Sequence, residues 1–173
     1  MRTFAGAVPL SVLALAAVTV IALVASRAAA DWLHTRRSLA ALLLFGFGLV
    51  VSATLVPTEA ALEGRASDGV CDVSRVGLAS ISVYTSVNAI SLNVLLFIPL
   101  GLAVGLLPRS RTAAVAAVAA FALTFVVEAI QLLLPVLGRG CQTADLVDNL
   151  LGLAIGIAAA TLARPLLYRM GWL

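Results

Sequence analysis

A set of polar and charged side chains interrupts the apolar second half of this 173-residue chain. Its members are two carboxylates, three carboxamides and a guanidinium: Asn93, Glu128, Gln131, Arg139, Asp145 and Asn149. A charged side chain at the centre of a membrane helix costs about 2.5–3.5 kcal/mol on insertion scales, so each needs a partner or a function. Carboxylates accept hydrogen bonds from hydroxyl, amide or amine groups, a guanidinium contacts phosphate or carboxylate, and carboxamides orient a ligand. These residue types therefore indicate a site for a polar head group.

The composition places these side chains in a membrane protein. Hydrophobic residues make up 62% of the chain, charged residues only 11%, and the mean hydropathy is +1.14. A soluble domain is nearer a quarter charged. The net charge of +3 comes from arginines, which in such a chain set membrane topology rather than bind nucleic acid. We predict an all-α fold, a polytopic membrane helical bundle that forms a single domain over residues 1–173.

Five apolar runs are each long enough to cross a bilayer as a helix, which takes about 20 residues. They lie at 7–26, 38–56, 90–107, 113–134 and 144–163. Four prolines follow the last four runs and are predicted to mark helix ends, because proline lacks the N–H that continues a helix: Pro57, Pro108, Pro135 and Pro165. Pro99 lies inside the third run and is expected to kink that helix.

The arginines predict the orientation of the bundle. Seven fall at one end of the five-span arrangement: Arg27, Arg36, Arg37, Arg109, Arg111, Arg164 and Arg169. Four fall at the other: Arg2, Arg65, Arg75 and Arg139. Because cytoplasmic loops are enriched in Arg, we expect the N-terminus outside the cell and the C-terminus in the cytoplasm. The use of Arg without any Lys, together with abundant Ala, is typical of GC-rich bacterial genes, so we expect the membrane to be a bacterial plasma membrane. The alternative for the first run is a secretory signal peptide ending at 28–30, although the run is long and cleavage would require the opposite topology.

The two cysteines lie in different loops that this topology places outside the cell. Thiols on neighbouring loops usually pair in an oxidising compartment, so we expect a disulfide between Cys71 and Cys141. Two free cysteines are the alternative. A cysteine nucleophile is not expected, because the single histidine, His34, falls in a loop at the opposite end.

Helix geometry predicts that the polar side chains meet at one depth in the outer leaflet. Glu128 lies six residues before the outer end of the fourth span, hence about 9 Å deep, and Gln131 shares its face. Asp145 lies in the first turn of the fifth span, with Asn149 four residues further on the same face. Asn93 lies at a similar depth in the third span. Short connections make these three helices neighbours, so their polar side chains are expected to converge.

Each of these residues also has a structural interpretation. Asp145 can stabilise the N-terminus of the fifth helix, and Asn93 and Asn149 can form interhelical hydrogen bonds. Arg139 can be a solvated loop charge or can pair with one of the carboxylates. Glu128 is the hardest to explain in this way, because its own helix offers no basic partner.

The order and spacing of these residues resemble the VanZ-like membrane proteins. The matching pattern lies within residues 88–160 and reads Asn93-x5-Pro99-Leu-Gly101, Glu128-x-x-Gln131 and Arg139-x5-Asp145-x3-Asn149-x-x-Gly152-x3-Gly156. The resemblance implies a polar site at the six residues named above and a packing role for Pro99, Gly101, Gly152 and Gly156. Asp148 stands where the family is usually apolar, so we interpret it as an interfacial residue outside the site.

The resemblance also implies a process, since the founding member is associated with low-level resistance to the glycopeptide teicoplanin. We predict an envelope protein that contacts membrane lipid and binds an amphiphilic or lipid-linked ligand, such as a lipoglycopeptide, in an outer-leaflet pocket. An enzyme is less favoured, because the cluster has no His, Cys or Ser nucleophile. The alternatives are an intramembrane enzyme that uses Glu128 and Asp145 as an acid/base pair, or a small transporter. The sequence has no nucleotide loop or metal-ligand spacing, so we expect no cofactor, metal or nucleic acid, and it does not define an oligomeric state.

Labelling of single cysteines in intact cells tests the topology. We expect a membrane-impermeant maleimide to label an Asp68→Cys variant, because the 57–89 loop faces outward, and to leave a Ser110→Cys variant unlabelled until the cells are permeabilised. Labelling of the second variant but not the first would mean that the bundle is inverted.

Overall fold

The computed structural model describes residues 8–171, in which long helices dominate. The helices are α1 (Val8–Leu33), α2 (Arg37–Leu55), α3 (Glu59–Leu62), α4 (Ile81–Tyr84), α5 (Ala89–Leu106), α6 (Arg111–Leu133) and α7 (Thr143–Arg169). Two short strands, β1 (Cys71–Asp72) and β2 (Cys141–Gln142), and a 3-10 turn at Pro135–Leu137 complete the elements. Five helices, α1, α2, α5, α6 and α7, are long and apolar enough to cross a membrane. The predicted all-α membrane bundle is confirmed.

The helix ends differ from the predicted ones at two places. The first helix continues to Leu33 rather than residue 26, because its Ala-rich end favours helix; the exposed His34 then takes a left-handed φ of 51°. The last helix continues through Pro165 to Arg169, so the prediction that Pro165 ends it is wrong. An internal proline removes only one backbone hydrogen bond, and the helix resumes beyond it. Pro57, Pro108 and Pro135 do lie just past helix ends, whereas residue 7 and Arg2 lie outside the described residues.

Four glycines allow α5 and α7 to form the most extensive helix contact of the bundle. They are Gly101 and Gly105 on α5 and Gly152 and Gly156 on α7. A Cβ built at Gly156 would overlap the carbonyl oxygen of Ile98 and lie 2.8 Å from the Cα of Gly101. In a bilayer the hydrophobic effect does not drive helices together, because lipid tails are as apolar as the helix faces. Helices associate there through close van der Waals packing, which small residues such as glycine allow. The packing role predicted for Gly101, Gly152 and Gly156 is confirmed, and Gly105 shares it.

The core lies between α2, α5, α6 and α7, where Phe97, Leu100 and Val50 are completely buried. α1 packs mainly against α2, and its C-terminal residues Ala30 and Leu33 belong to the core. The outward faces carry large apolar side chains, such as Val24 and Leu162, which are 75% and 82% exposed. Apolar groups on the outside are expected where lipid is the solvent.

The segment between α2 and α5, residues 56–88, is mostly irregular and includes α3, β1 and the single-turn α4. β1 pairs with β2 in parallel, with Cys71 opposite Cys141 and Asp72 opposite Gln142. The hydroxyl of Thr143 donates to the carbonyl oxygen of Arg75 at 2.8 Å. The long loop is thus fixed against the start of α7.

The glycine contact predicts a specific loss of stability. The Gly156→Ala variant is expected to be less stable by about 1–3 kcal/mol, because the added methyl forces α5 and α7 apart. Thermal unfolding of the purified protein in detergent measures this effect. The Gly77→Ala variant is the control, since a Cβ there meets nothing within 4 Å. An equal change in both variants would contradict the packing role.

Candidate functional site

A cavity of about 510 Å³ lies between α2, α5, α6 and α7, at the end of the bundle that carries the long loop. All six predicted site residues line it, together with Thr54: Asn93, Glu128, Gln131, Arg139, Asp145 and Asn149. The remaining walls are apolar: Ala53, Ala89, Leu92, Leu95, Leu96 and Val127. A mainly apolar cavity with a few convergent polar groups is typical of a small-molecule site.

The polar side chains of α6 turn into the bundle rather than toward lipid. Glu128 and Gln131 are only 7% and 5% exposed. The backbone N–H of Gln142 donates to a carboxylate oxygen of Glu128 at 2.9 Å, and the Gln131 amide donates to the carbonyl oxygen of Thr54 at 3.2 Å. The Thr54 carbonyl belongs to the last turn of α2, where carbonyls lack partners within the helix. Both contacts hold the walls of the cavity together.

The polar side chains of α5 and α7 meet at the opposite wall. Asp145 lies in the first turn of α7, and the side chain of Asn93 from α5 lies beside its carboxylate. Arg139, in the loop before β2, is half-buried in the same cavity. None of its nitrogens lies within 4.0 Å of a carboxylate oxygen of the described residues, so the ion pair considered from the sequence does not form. Burial lowers the pKa of the Arg139 guanidinium, and the nearby charge of Asp145 opposes that shift.

Two residues that line the cavity each hold a buried polar atom with no hydrogen-bond partner within the described part of the chain. These atoms are Nε of Arg139 and Oδ1 of Asn149, and the third such atom among the described residues, Oγ of Ser67, lies outside the cavity. Buried polar atoms are nearly always paired in folded proteins, because an unpaired one costs about 1–3 kcal/mol. One atom is a donor and the other an acceptor, and both belong to side chains that line the cavity.

Asp148 lies outside the cavity lining, as predicted, but its surroundings differ from the interfacial position expected from the sequence. Its side chain is completely buried within the protein. The Arg75 guanidinium forms an ion pair with it through two nitrogens, and the Tyr84 hydroxyl donates to its Oδ1 at 2.8 Å. The sequence showed a second carboxylate three residues after Asp145, which indicates a need for a basic partner. It did not show which residue that partner is, because Arg75 is 73 residues away in the sequence.

Asp148 serves the loop rather than the cavity, which it does not line. Arg75 also donates to the carbonyl oxygens of Gly77 and Ala144, at 2.7 and 3.3 Å. The hydrogen bond to Asp148 and the charge of that carboxylate raise the pKa of the Arg75 guanidinium, and burial opposes this shift. The pair therefore ties the 56–88 segment to the first turns of α7.

A disulfide joins the same two parts of the chain. The Sγ atoms of Cys71 and Cys141 are bonded and the Cα atoms are 4.5 Å apart, so the two cysteines expected to pair do so in the structure. We call this disulfide, together with the contacts of Arg75 and Tyr84 to Asp148, the loop anchor. The anchor fixes the short segment that carries both Arg139 and the N–H group bonded to Glu128.

The described residues contain no group of three or more His, Cys, Asp and Glu side chains placed to hold a metal ion. The side chains of the cavity offer hydrogen bonds and charge instead. They can recognise a head group that both donates and accepts.

Comparison with known proteins identifies the family. The sequence model of VanZ/LLP1 matches residues 10–164, which contain every residue that lines the cavity. The chain belongs to the VanZ/LLP1 family. The match extends beyond the motif at 88–160 and includes most of α1 and all of α2, whose Thr54 contributes to the VanZ/LLP1 cavity. No significant match to a curated protein or to a solved structure is found.

The loop anchor predicts that loss of Arg75 is costly. The Arg75→Gln variant is expected to lose about 3 kcal/mol of stability, because it leaves the buried Asp148 carboxylate without its ionic partner. Thermal unfolding in detergent measures the loss. The Arg65→Gln variant is the matched control, since its pair with Glu63 is exposed and worth about 1 kcal/mol or less.

A double variant separates pairing from other effects. Arg75→Leu with Asp148→Leu is expected to be more stable than Arg75→Gln, because no unpaired charge remains buried. Equal stability of the Arg75→Gln and Arg65→Gln variants would show that the ion pair does not anchor the loop.

Proposed function

We propose that this VanZ/LLP1 protein binds an amphiphilic or lipid-linked ligand in the cavity between α2, α5, α6 and α7. The observation that carries the proposal is that two residues lining this cavity, Arg139 and Asn149, each hold a buried polar atom, Nε and Oδ1, without a hydrogen-bond partner within the described residues. A ligand that supplied an acceptor to the first and a donor to the second would remove the cost of leaving both unpaired.

The required head group follows from these atoms. An N–H of a guanidinium bonds most strongly to a phosphate or carboxylate oxygen, and an amide oxygen accepts from a hydroxyl or amide N–H. Asp145 and the second oxygen of Glu128 offer further acceptors. Sugars and peptides that also carry an acidic group meet these requirements. Acylated glycopeptides and lipid-linked cell-wall precursors both belong to this class.

The apolar part of such a ligand has a place as well. Leu92 and Leu95 line the cavity and are also 53% and 58% exposed on the outward face of α5. The cavity is therefore continuous with a surface that lipid covers. An acyl or polyprenyl chain can remain in the bilayer while its head group enters the cavity, which avoids the cost of transferring the chain into water.

The orientation that suits this proposal has the loop anchor outside the cell and the C-terminus in the cytoplasm of a bacterium. A disulfide at the anchor fits an oxidising exterior. His34, Thr35 and Arg36 share the opposite end with Pro108 and Tyr168, and most arginines cluster near that end. In this orientation the cavity is reached from the outer leaflet, where glycopeptides act, and we extend the proposal to an influence on teicoplanin susceptibility.

Binding measurements on purified protein test the proposal with two probes, teicoplanin and undecaprenyl phosphate. The Glu128→Gln and Arg139→Gln variants are each expected to bind at least one probe about tenfold more weakly, as loss of one hydrogen bond to a charged group implies. The Glu63→Gln variant is the control, because Glu63 is an exposed carboxylate outside the cavity. Thermal unfolding of each variant shows whether it remains folded.

Two results would contradict the proposal. One is the absence of binding of either probe to the native protein. The other is unchanged affinity in both cavity variants. Should Glu128→Gln lower stability because the Gln142 N–H then bonds to an uncharged amide oxygen, Arg139→Gln carries the test, since the Arg139 side chain makes no hydrogen bond within the described residues.

A further inference from the structure

A second cavity lies at the opposite end of the bundle from the polar one. It has a volume of about 590 Å³ and is bounded by the end of α5, the start of α6 and the C-terminal part of α7. Three arginines line it, namely Arg109, Arg111 and Arg164, and none of its lining residues is acidic. We call it the arginine cavity. The predicted topology explains why arginines lie at this end, but not why three of them surround one cavity.

Arg164 is held in place by the protein. Its guanidinium donates to the carbonyl oxygen of Leu107 at 2.6 Å and lies 5.9 Å from the centre of the Tyr168 ring. The Leu107 carbonyl follows the last turn of α5, where carbonyls lack helical partners. Arg164 thus has a structural role, and this role fixes its positive charge at the cavity.

Arg109 and Arg111 have no such role. Their guanidinium groups make no hydrogen bond and no ion pair within the part of the chain that the structure describes. Both are exposed and lie on either side of Ser110, the N-cap of α6. Three like charges around one concavity repel each other unless an anion lies between them. The positive end of the α6 dipole adds to the same potential.

The apolar walls indicate what kind of anion fits. Val104, Leu107, Ala113 and Ala114 line the cavity beside the arginines. The cavity is located where membrane-spanning helices end, at the level of lipid head groups. A free anion gains nothing from apolar walls, whereas a phospholipid places its phosphate among the arginines and its first carbons against the aliphatic side chains. Basic pockets between helices at a membrane surface suit anionic head groups.

We propose that the arginine cavity binds the phosphate head group of an anionic phospholipid. The site is separate from the polar cavity, and it does not depend on the ligand proposed there. Arg109 and Arg111 supply the unpaired charge, while Arg164 supplies a fixed one.

Native mass spectrometry of the full-length protein in a neutral detergent tests the proposal. The probes are phosphatidylglycerol, phosphatidylcholine and inorganic phosphate. We expect phosphatidylglycerol to bind, and the Arg109→Gln/Arg111→Gln double variant to bind it at least tenfold more weakly. The control is the Arg27→Gln/Arg169→Gln double variant. It removes the same charge near the same end but leaves the arginine cavity unchanged, and we expect less than a twofold loss.

Three outcomes would overturn the proposal. An equal loss in the two double variants would show general attraction to a positive surface. Equally tight binding of phosphatidylcholine would show that charge does not select the lipid. Competition by inorganic phosphate at the concentration of the lipid would identify a free phosphate as the occupant. Should the cavity double variant fail to fold, the single variants Arg111→Gln and Arg169→Gln are compared in the same way, with the loss expected only in the first.

Discussion

The close approach of α5 and α7 is the contact on which the polar cavity depends. A Cβ built at Gly152 would overlap the carbonyl oxygen of Val94 and lie 3.1 Å from the Cβ of Phe97, both on α5. The two helix backbones are therefore in contact at this point. Asn93 directly precedes Val94, and Asn149 lies three residues, almost one turn, before Gly152. The glycine contact between α5 and α7 therefore lies directly beside the polar side chains of the cavity. A larger residue at the glycine position would separate the helices and with them Asn93 and Asp145.

The loop anchor is the second contact on which the cavity depends. The glycine contact positions α5 and α7 but not the loop residue Arg139, which also lines the cavity. Asp148 is completely buried while its partner Arg75 keeps about a quarter of its side chain exposed. A buried charge is tolerated when it is paired and when its remaining lone pairs accept hydrogen bonds. For Asp148, the Tyr84 hydroxyl donates such a bond. The disulfide limits the same loop covalently. Together they place the segment 138–142 over the cavity.

Much of this arrangement could be predicted from the sequence, because in a helix the spacing between two residues determines their difference in membrane depth and the faces on which they lie. Glu128 and Gln131 share a face and point inward, and Asp145 and Asn149 do likewise, as a period of 3.6 residues requires. The contacts that spacing does not determine were missed. The pair of Arg75 with Asp148 joins an irregular loop to a helix, and the Thr54 carbonyl is a backbone group with no sequence signature. The course of α7 through Pro165 was also missed, because a proline usually ends a helix but can also be accommodated inside one.

The two carboxylates at the start of α7 differ in what compensates them, and this difference bears on the cavity. Asp148 is compensated by Arg75 within the protein, so Arg75 is not available to a ligand. Arg139 pairs with no carboxylate within the described residues, although Asp145 and Glu128 line the same cavity. Glu128 instead accepts from a backbone N–H, which adds no positive charge to compete with Arg139. Arg75 thus stabilises the fold, whereas Arg139 has no carboxylate partner within the described residues and lies two residues from the disulfide-bonded Cys141. The disulfide fixes the backbone beside Arg139 while the guanidinium itself stays without a partner in that part of the chain, so less free energy would be spent on ordering this segment if an acidic group were bound there.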